Sequence, residues 1–306
     1  MAVTLRQLSY FKSLAQQRNF GRAAEAVHVS QPALSVQIRE MEQTLGAPLV
    51  ERRSRDVVLT PFGRLVLAQA EKVLSEMQVL SEIARWNKGL SGELRLGLIP
   101  TIAPYLLPAA LAAIRQRDIG LNVQVQEGKT ARLIEDLRAG RLDAAVVALP
   151  LESSEDLISR TLFEDRFLLA GSAARLAALG ERRESLRPDH IGPEQLMLLE
   201  EGHCLTDQAL EVCGRGRGHA QINMGASSLA TLSRLVAAGF GLTLLPELAL
   251  ASEGQGLSLR RFSAPEPSRQ IALVRRASSP DDGWFRALAT ILSDAGTELV
   301  GATRPD

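Results

Sequence analysis

Only two cysteines occur among 306 residues, the formal net charge is zero, and no apolar run is long enough to cross a membrane. The first twenty residues, MAVTLRQLSYFKSLAQQRNF, lack the apolar core of an export signal. Together these absences argue against a secreted disulfide scaffold and against a transport-type binding protein, and the expected location is cytoplasmic with no membrane partner. No internal repeat or low-complexity tract is visible. Gly214, Gly216 and Gly218, alternating with arginines, come nearest to a flexible linker. An apolar content of 45% is that of a globular chain, and the length fits two or three domains.

The zero net charge hides an asymmetry. Residues 1–88 hold twelve Lys and Arg against eight Asp and Glu, a balance of +4, which leaves −4 for the remainder. The basic end predicts a polyanion partner.

Both cysteines fall in one segment, LEEGHCLTDQALEVC. Apolar Leu205, Ala209, Leu210 and Val212, with Asp207 in the first turn, predict a helix over 205–212. Cys204 then stands at a helix N-terminus beside His203, surroundings in which cysteines are reactive. Nine helical residues advance roughly 13.5 Å, whereas a disulfide needs Cα atoms within about 7 Å. A Cys204–Cys213 bond therefore requires the segment to refold, which would turn oxidation into a conformational switch. The plainer alternative is two buried thiols that only pack. Zinc held by His203, Cys204, Cys213 and His219 is disfavoured, because adjacent ligands rarely converge on one tetrahedral ion. No metal or cofactor is expected.

In the basic end, Leu5, Leu8, Phe11, Leu14 and Ala15 predict a helix stopping near Asn19, and a second covers 21–27. Ser30 as N-cap and Pro32 in the first turn open a third helix over 31–45. Leu34, Ile38, Met41 and Leu45 form its inner face; Pro32, Ser35, Val36 and Arg39 form the outer one. Residues 48–51 and 57–59 predict two short strands joined by Arg52, Arg53, Ser54 and Arg55, a wing suited to phosphates. The run FGRAAEAVHVSQPALSVQIREMEQTLGAPLVERRSRDVVLTPFG resembles the winged helix-turn-helix signature of the LysR-type transcriptional regulators. That resemblance implies that Gln31, Pro32 and Ser35, on one helix with Ser30 and Arg39, meet the major groove, and that Arg22 and Arg53 contact phosphate.

Thr60 and Pro61 open a further helix, expected to reach about Asn87. Val66, Ala70, Val73, Met77, Leu80 and Ala84 lie alternately four and three residues apart, a heptad seam. A helix of about 27 residues spans roughly 40 Å, too long for a small domain to cover, so pairing with a second copy is expected. After a break at 89–92, strands at 93–99, 122–126 and 144–148 alternate with helices from about Tyr105 and Thr130 and predict a parallel α/β unit. A second unit is expected from strands at 167–170, 197–199, 221–224 and 242–245 with helices at 205–213, 229–238 and 247–251. A strand at 270–274 and a helix over 282–295 close the chain. The expected division is a winged helix-turn-helix domain at 1–60, a linker and dimerisation helix at 61–88, and a regulatory domain at 89–306. The family resemblance implies that the last is a periplasmic-binding-protein-like α/β domain of two lobes, with the chain crossing twice and a cleft between them.

Thr101 follows the first of these strands, and Thr130 is expected as N-cap of the helix after the second; such positions face ligands in open α/β sheets. The segments GLIPTIAPYLLP, LDAAVVALP, LEEGHCLTDQALEVC and AAGFGLTLLP are similar to those of the peroxide-sensing members of the LysR-type family. This second resemblance implies that Cys204 is the peroxidatic cysteine and Cys213 the resolving one. It also places Thr101, Thr130, Gly202, His203 and Arg276 around a peroxide pocket, with Arg275 adjacent to the last. Thr206 departs from the arginine common at its position, so a positive charge near Cys204 is missing. The function expected is that of a DNA-binding transcription factor, not an enzyme, that senses hydrogen peroxide through a Cys204–Cys213 disulfide. Its implied partners are double-stranded promoter DNA, RNA polymerase and further copies of itself as a homodimer or homotetramer. The alternative expectation is a LysR-type regulator answering a small organic acid in the cleft, with the cysteines as bystanders.

Overall fold

Polar side chains start the first helices. In the computed structural model, which describes residues 2–302 other than 53–55, 87–89, 91, 118–119, 152, 180–185, 189–190, 193–194, 214–225 and 281–282, Thr4 and Gln7 cap each other reciprocally and open α1 (Leu5–Gln17). Asn19 caps α2 (Phe20–Ala26), and Ser30 caps α3 (Gln31–Leu45), where Pro32 has no hydrogen bond to lose. Gly46, at φ +77°, ends α3 in the left-handed conformation that glycine adopts without strain. β1 (Val50–Arg52) pairs antiparallel with β2 (Val57–Leu59). Arg53 and its neighbours at the expected wing tip lie outside the described residues. Phe11, Leu14, Leu34, Ile38, Met41 and Leu49 are fully buried and hold this unit together.

Thr60 Oγ1 accepts from the Gly63 amide at 2.8 Å and opens α4 (Pro61–Trp86). The heptad seam changes role along this helix. Val66 packs against the core just described and Ala70 is buried, whereas Val73, Met77 and Leu80 are 44%, 39% and 60% exposed. The chain divides into two compact units within the last turn of α4, between Ala84 and Arg85.

In the second unit, β3 (Glu93–Leu98), α5 (Ala103–Arg117), β4 (Asn122–Glu127), α6 (Thr130–Arg138) and β5 (Ala144–Ala148) form lobe one, with β3 parallel to both β4 and β5. β6 (Leu157–Gly171) then leaves for lobe two. That lobe contains α7 (Ala173–Ala178), α8 (Cys204–Val212), α9 (Leu229–Ala237), β7 (Leu242–Pro246), α10 (Leu250–Glu253) and β8 (Ser258–Arg260). β9 (Ser268–Arg276) returns to lobe one, and α11 (Trp284–Gly301) packs there. β9 pairs antiparallel with β5 and with Leu157–Arg166 of β6; the rest of β6 pairs antiparallel with β7 and β8. The sheet order is β4-β3-β5-β9-β6-β7. Two crossing strands thus connect two cores, one around Leu96, Leu98, Val146 and Trp284, the other around Phe167, Leu169, Val236 and Leu244.

Lobe two departs from the strands expected. The strand expected at 167–170 is only the end of a 15-residue strand, and its partners are antiparallel because β6 enters from the other lobe. Residues 197–199 form no strand; isolated parallel bridges, Leu196 to Leu242 and Leu199 to Ala226, take its place. The strand expected at 221–224 lies outside the described residues. Among the described residues, no helix is long and apolar enough to cross a membrane.

A β-carbon at Gly63 would meet the Leu49 carbonyl oxygen at 2.0 Å. The carbonyl belongs to the Leu49 backbone, so relief would part the β1 approach from α4. Gly63→Ala is expected to destabilise the N-terminal unit by about 1–3 kcal/mol, seen as an earlier urea transition of the full chain. An unchanged midpoint would refute this packing.

Candidate redox site

Backbone constraints present Cys204. The Glu200 amide donates to the Ala226 carbonyl at 3.0 Å, Gly202 turns the chain at φ +89°, and His203 takes the N-cap position of α8 without a side-chain cap bond. Cys204 is the first helical residue, one position before the helix expected at 205–212, and stands at the helix N-terminus as expected. Thr206, at the position where an arginine would stand, is buried, and its hydroxyl donates to the Leu199 carbonyl at 2.9 Å. The residue ties α8 to the strand-like segment before the turn.

Neither cysteine is in a disulfide bond, and the two belong to different cores. Cys204 is half-buried and packs against lobe one, whereas Cys213, the C-cap residue, is buried within lobe two. Gln208 also crosses, donating from α8 to the Leu149 carbonyl of lobe one at 3.1 Å.

Lobe one contributes hydroxyls. Leu98 of β3 pairs in register with Glu127 of β4, so Thr101 and Thr130, three residues beyond each, lie past the same C-terminal sheet edge. Thr101 is buried, and its Oγ1 accepts from Arg269 Nη1 at 3.0 Å. A guanidinium only donates, so the Thr101 proton is left to donate elsewhere. Thr130 is not the N-cap that was expected. Lys129 holds that position by backbone geometry, Thr130 is the first helical residue, and its buried Oγ1 has no hydrogen-bond partner among the described residues.

Charge surrounds the imidazole. His203 is 5% exposed, and its Nε2 lies 3.7 Å from Glu200 Oε1, which also pairs with Lys129 Nζ at 2.9 Å. Burial, and then the Lys129 charge, hold the His203 pKa below its ordinary value, against the pull of Glu200. The bond from Lys129 in turn holds the Glu200 carboxyl below the usual carboxylate value. Among the described residues, no group of three or more His, Cys, Asp or Glu side chains is placed to hold a metal ion.

Residues 87–297 match the family model of the LysR substrate binding domain, and residues 5–64 match that of the bacterial regulatory helix-turn-helix protein, lysR family. The chain belongs to the LysR family. It is 41% identical over 290 residues to a hydrogen peroxide-inducible genes activator of Dickeya chrysanthemi, and equally to the DNA-binding transcriptional dual regulator OxyR of Escherichia coli, with 94% of both chains covered each time. A solved structure of Corynebacterium glutamicum OxyR, a cysteine-to-serine variant with hydrogen peroxide bound, is 34% identical. It covers 99% of this chain and 97% of its own, with a TM-score of 0.65.

In this LysR-family chain the expected pocket arginine is elsewhere. Arg276 sits seven residues along β9 from Arg269, about 23 Å at strand rise, and its guanidinium donates to the Leu137 and Leu142 carbonyls around the end of α6. Arg275 donates to the Ser279 carbonyl at 2.5 Å and lies over the Phe285 ring. Arg269 is the arginine at Thr101. Its Nε and Nη2 reach Asp165 Oδ2 at 3.0 and 2.8 Å, and both side chains are fully buried. A signal was available in Asp165, an acidic residue in the strand-forming run FEDRFLLAG that needs a cationic partner.

In the LysR helix-turn-helix, Ser30, Gln31, Pro32 and Arg39 are exposed along α3 and Ser35 is half-buried. Arg22 is exposed and donates to the Gln17 carbonyl at 3.1 Å.

The lowered His203 pKa has a consequence for stability. The unfolded chain takes up this proton more readily than the folded one, so the contribution is whole above the ordinary value of 6.5 and is lost as pH falls through 6.5 toward the lower folded value. Urea midpoints measured from pH 7.5 to 5 should fall further for the wild type than for His203→Gln. Parallel curves would show an imidazole that titrates normally.

Proposed function

We propose that this LysR-family chain is an OxyR-type transcriptional regulator that senses hydrogen peroxide at Cys204 and records the signal as a Cys204–Cys213 disulfide. The observation that carries this reading is the pair of hydroxyls at one sheet edge, Thr130 without a partner among the described residues and Thr101 with a proton to donate, on the lobe against which Cys204 packs. The Cys204 sulfur attacks one peroxide oxygen, an S–O bond forms as the O–O bond breaks, and the departing hydroxide leaves as water after protonation. Thr101, Thr130 and His203 supply donors to the developing charge. The Cys213 thiol then displaces water from the sulfenic acid. Two thiols and one peroxide become one disulfide and two waters.

On this reading α3 carries the base-reading side chains, Gln31, Pro32 and Ser35, in promoter DNA, with Ser30 and Arg39 beside them and Arg22 and Arg53 on phosphates. The exposed Val73, Met77 and Leu80 support assembly as a homodimer, paired further into a homotetramer, that engages RNA polymerase in the cytoplasm. The work is regulation without turnover.

The deciding experiment is peroxide titration followed by thiol-specific mass spectrometry. Cys204 should oxidise first and then appear bonded to Cys213. Cys204→Ser should abolish the response, and Cys213→Ser should leave a sulfenic acid that a carbonyl nucleophile traps. Inert cysteines, together with heat on binding a small organic acid, would replace this reading with that of a metabolite-responsive regulator. On DNA, Gln31→Ala should relax sequence preference, while Arg53→Ala should weaken all sequences and flatten the salt dependence.

A further inference from the structure

The turn before Cys204 is held from the opposite lobe. Lys129, the N-cap residue of α6, sends Nζ to the Glu201 carbonyl at 2.7 Å and to Glu200 Oε1 at 2.9 Å. Its stem runs past Gly202, where an added β-carbon would lie 3.1 Å from Lys129 Cδ and 3.5 Å from Nζ. Gly202 also has a φ of +89°, so glycine serves both the turn and the passage of the lysine stem. The same Glu200 oxygen reaches toward His203. One side chain therefore grips a carbonyl, a carboxylate and the glycine between them and His203.

An exposed ion pair alone would contribute little. Here the anchoring point matters more than the attraction. Lys129 precedes Thr130, whose hydroxyl has no partner among the described residues, and the segment it grips precedes Cys204. The contact thus fixes a lobe-one donor relative to a lobe-two sulfur. The first turn of α8 supplies no cation for this purpose: residues 204–207 are Cys-Leu-Thr-Asp, and the Thr206 hydroxyl is spent on the Leu199 carbonyl.

We infer that Lys129 is a positioning residue for the peroxide reaction, holding from lobe one the lobe-two turn that presents His203 and Cys204. The inference rests on the peroxide-sensing reading. Donors on two lobes must close on one departing hydroxide, and a misplacement of about 1 Å is enough to forfeit much of such an acceleration.

The test uses the reduced full-length protein as wild type, Lys129→Met and Lys129→Arg. Two rates are followed at Cys204 by quenched mass spectrometry: oxidation by hydrogen peroxide and alkylation by iodoacetamide, a neutral reagent that needs no hydroxide stabilisation. Lys129→Met should slow oxidation about tenfold while alkylation changes less than about twofold, and Lys129→Arg should recover most of the oxidation rate. Equal oxidation rates in wild type and Lys129→Met would overturn the inference, as would equal slowing with both reagents, which marks a loss of fold or access. A wild-type Cys204 that ignores peroxide would instead overturn the sensing reading on which the inference stands.

Discussion

The buried Asp165–Arg269 pair fixes the place where two lobes become one site. Taking two charges out of water costs several kcal/mol each, and the cost is offset only when every polar atom finds a partner. Here Arg269 gives Nε and Nη2 to Asp165 Oδ2 and Nη1 to Thr101, while Asp165 Oδ1 accepts from the Leu248 amide. The two residues face each other in the β6–β9 register, one pair from the end where β6 passes from lobe one to lobe two. The pair therefore locks the crossing strands and, through Thr101, attaches the lobe-one sheet edge to them. Removing one partner alone would leave a buried charge and cost about 3–5 kcal/mol.

The helix between the cysteines sets the opposite constraint. Hydrogen bonds within α8 hold the two cysteine Cα atoms roughly 13.5 Å apart at helical rise, with one thiol in each lobe's packing. A disulfide between them requires α8, whose first turn the Thr206 bond ties to Leu199, to unwind. A bond made at that cost is easily reduced, which is what a reversible signal needs. A thiol pair preformed at bonding distance would oxidise without moving anything.

Local chemistry was legible in the sequence wherever a residue acts within its own turn. Ser30 caps α3, Thr60 caps α4 and Cys204 opens α8 because an N-cap needs only the next three residues. Thr130 failed by one position: Lys129 has cap geometry without a capping side chain, and the threonine hydroxyl faces the interior. The first ten residues of β6, LISRTLFEDR, are too polar to read as a strand; β9 pairs with them across the crossing, a partner more than a hundred residues away. The same distance hid Arg269. The family resemblance pointed to Arg276, with Arg275 adjacent, while strand register decides which arginine reaches Thr101, and register is a property of the pair of strands.

Three buried carboxylates elsewhere in the second unit are paired with arginines. Asp143 takes the Arg95 guanidinium at 2.7 Å, Glu247 takes Arg261 at 2.6 Å, and Asp165 takes Arg269. These pairs are internal and leave no role for an incoming molecule. The Thr130 hydroxyl has no partner among the described residues, and a buried oxygen left so costs about 1–3 kcal/mol, yet it lies beyond the same sheet edge as Thr101, which has a proton to give. On the peroxide-sensing reading, a ligand that satisfies both is small, accepts and donates hydrogen bonds, and reaches the Cys204 sulfur. Hydrogen peroxide meets all three demands, with two oxygens that each accept and donate. A carboxylate effector accepts only, and at this edge it would compete with the nearby Glu200 carboxylate for the Lys129 charge.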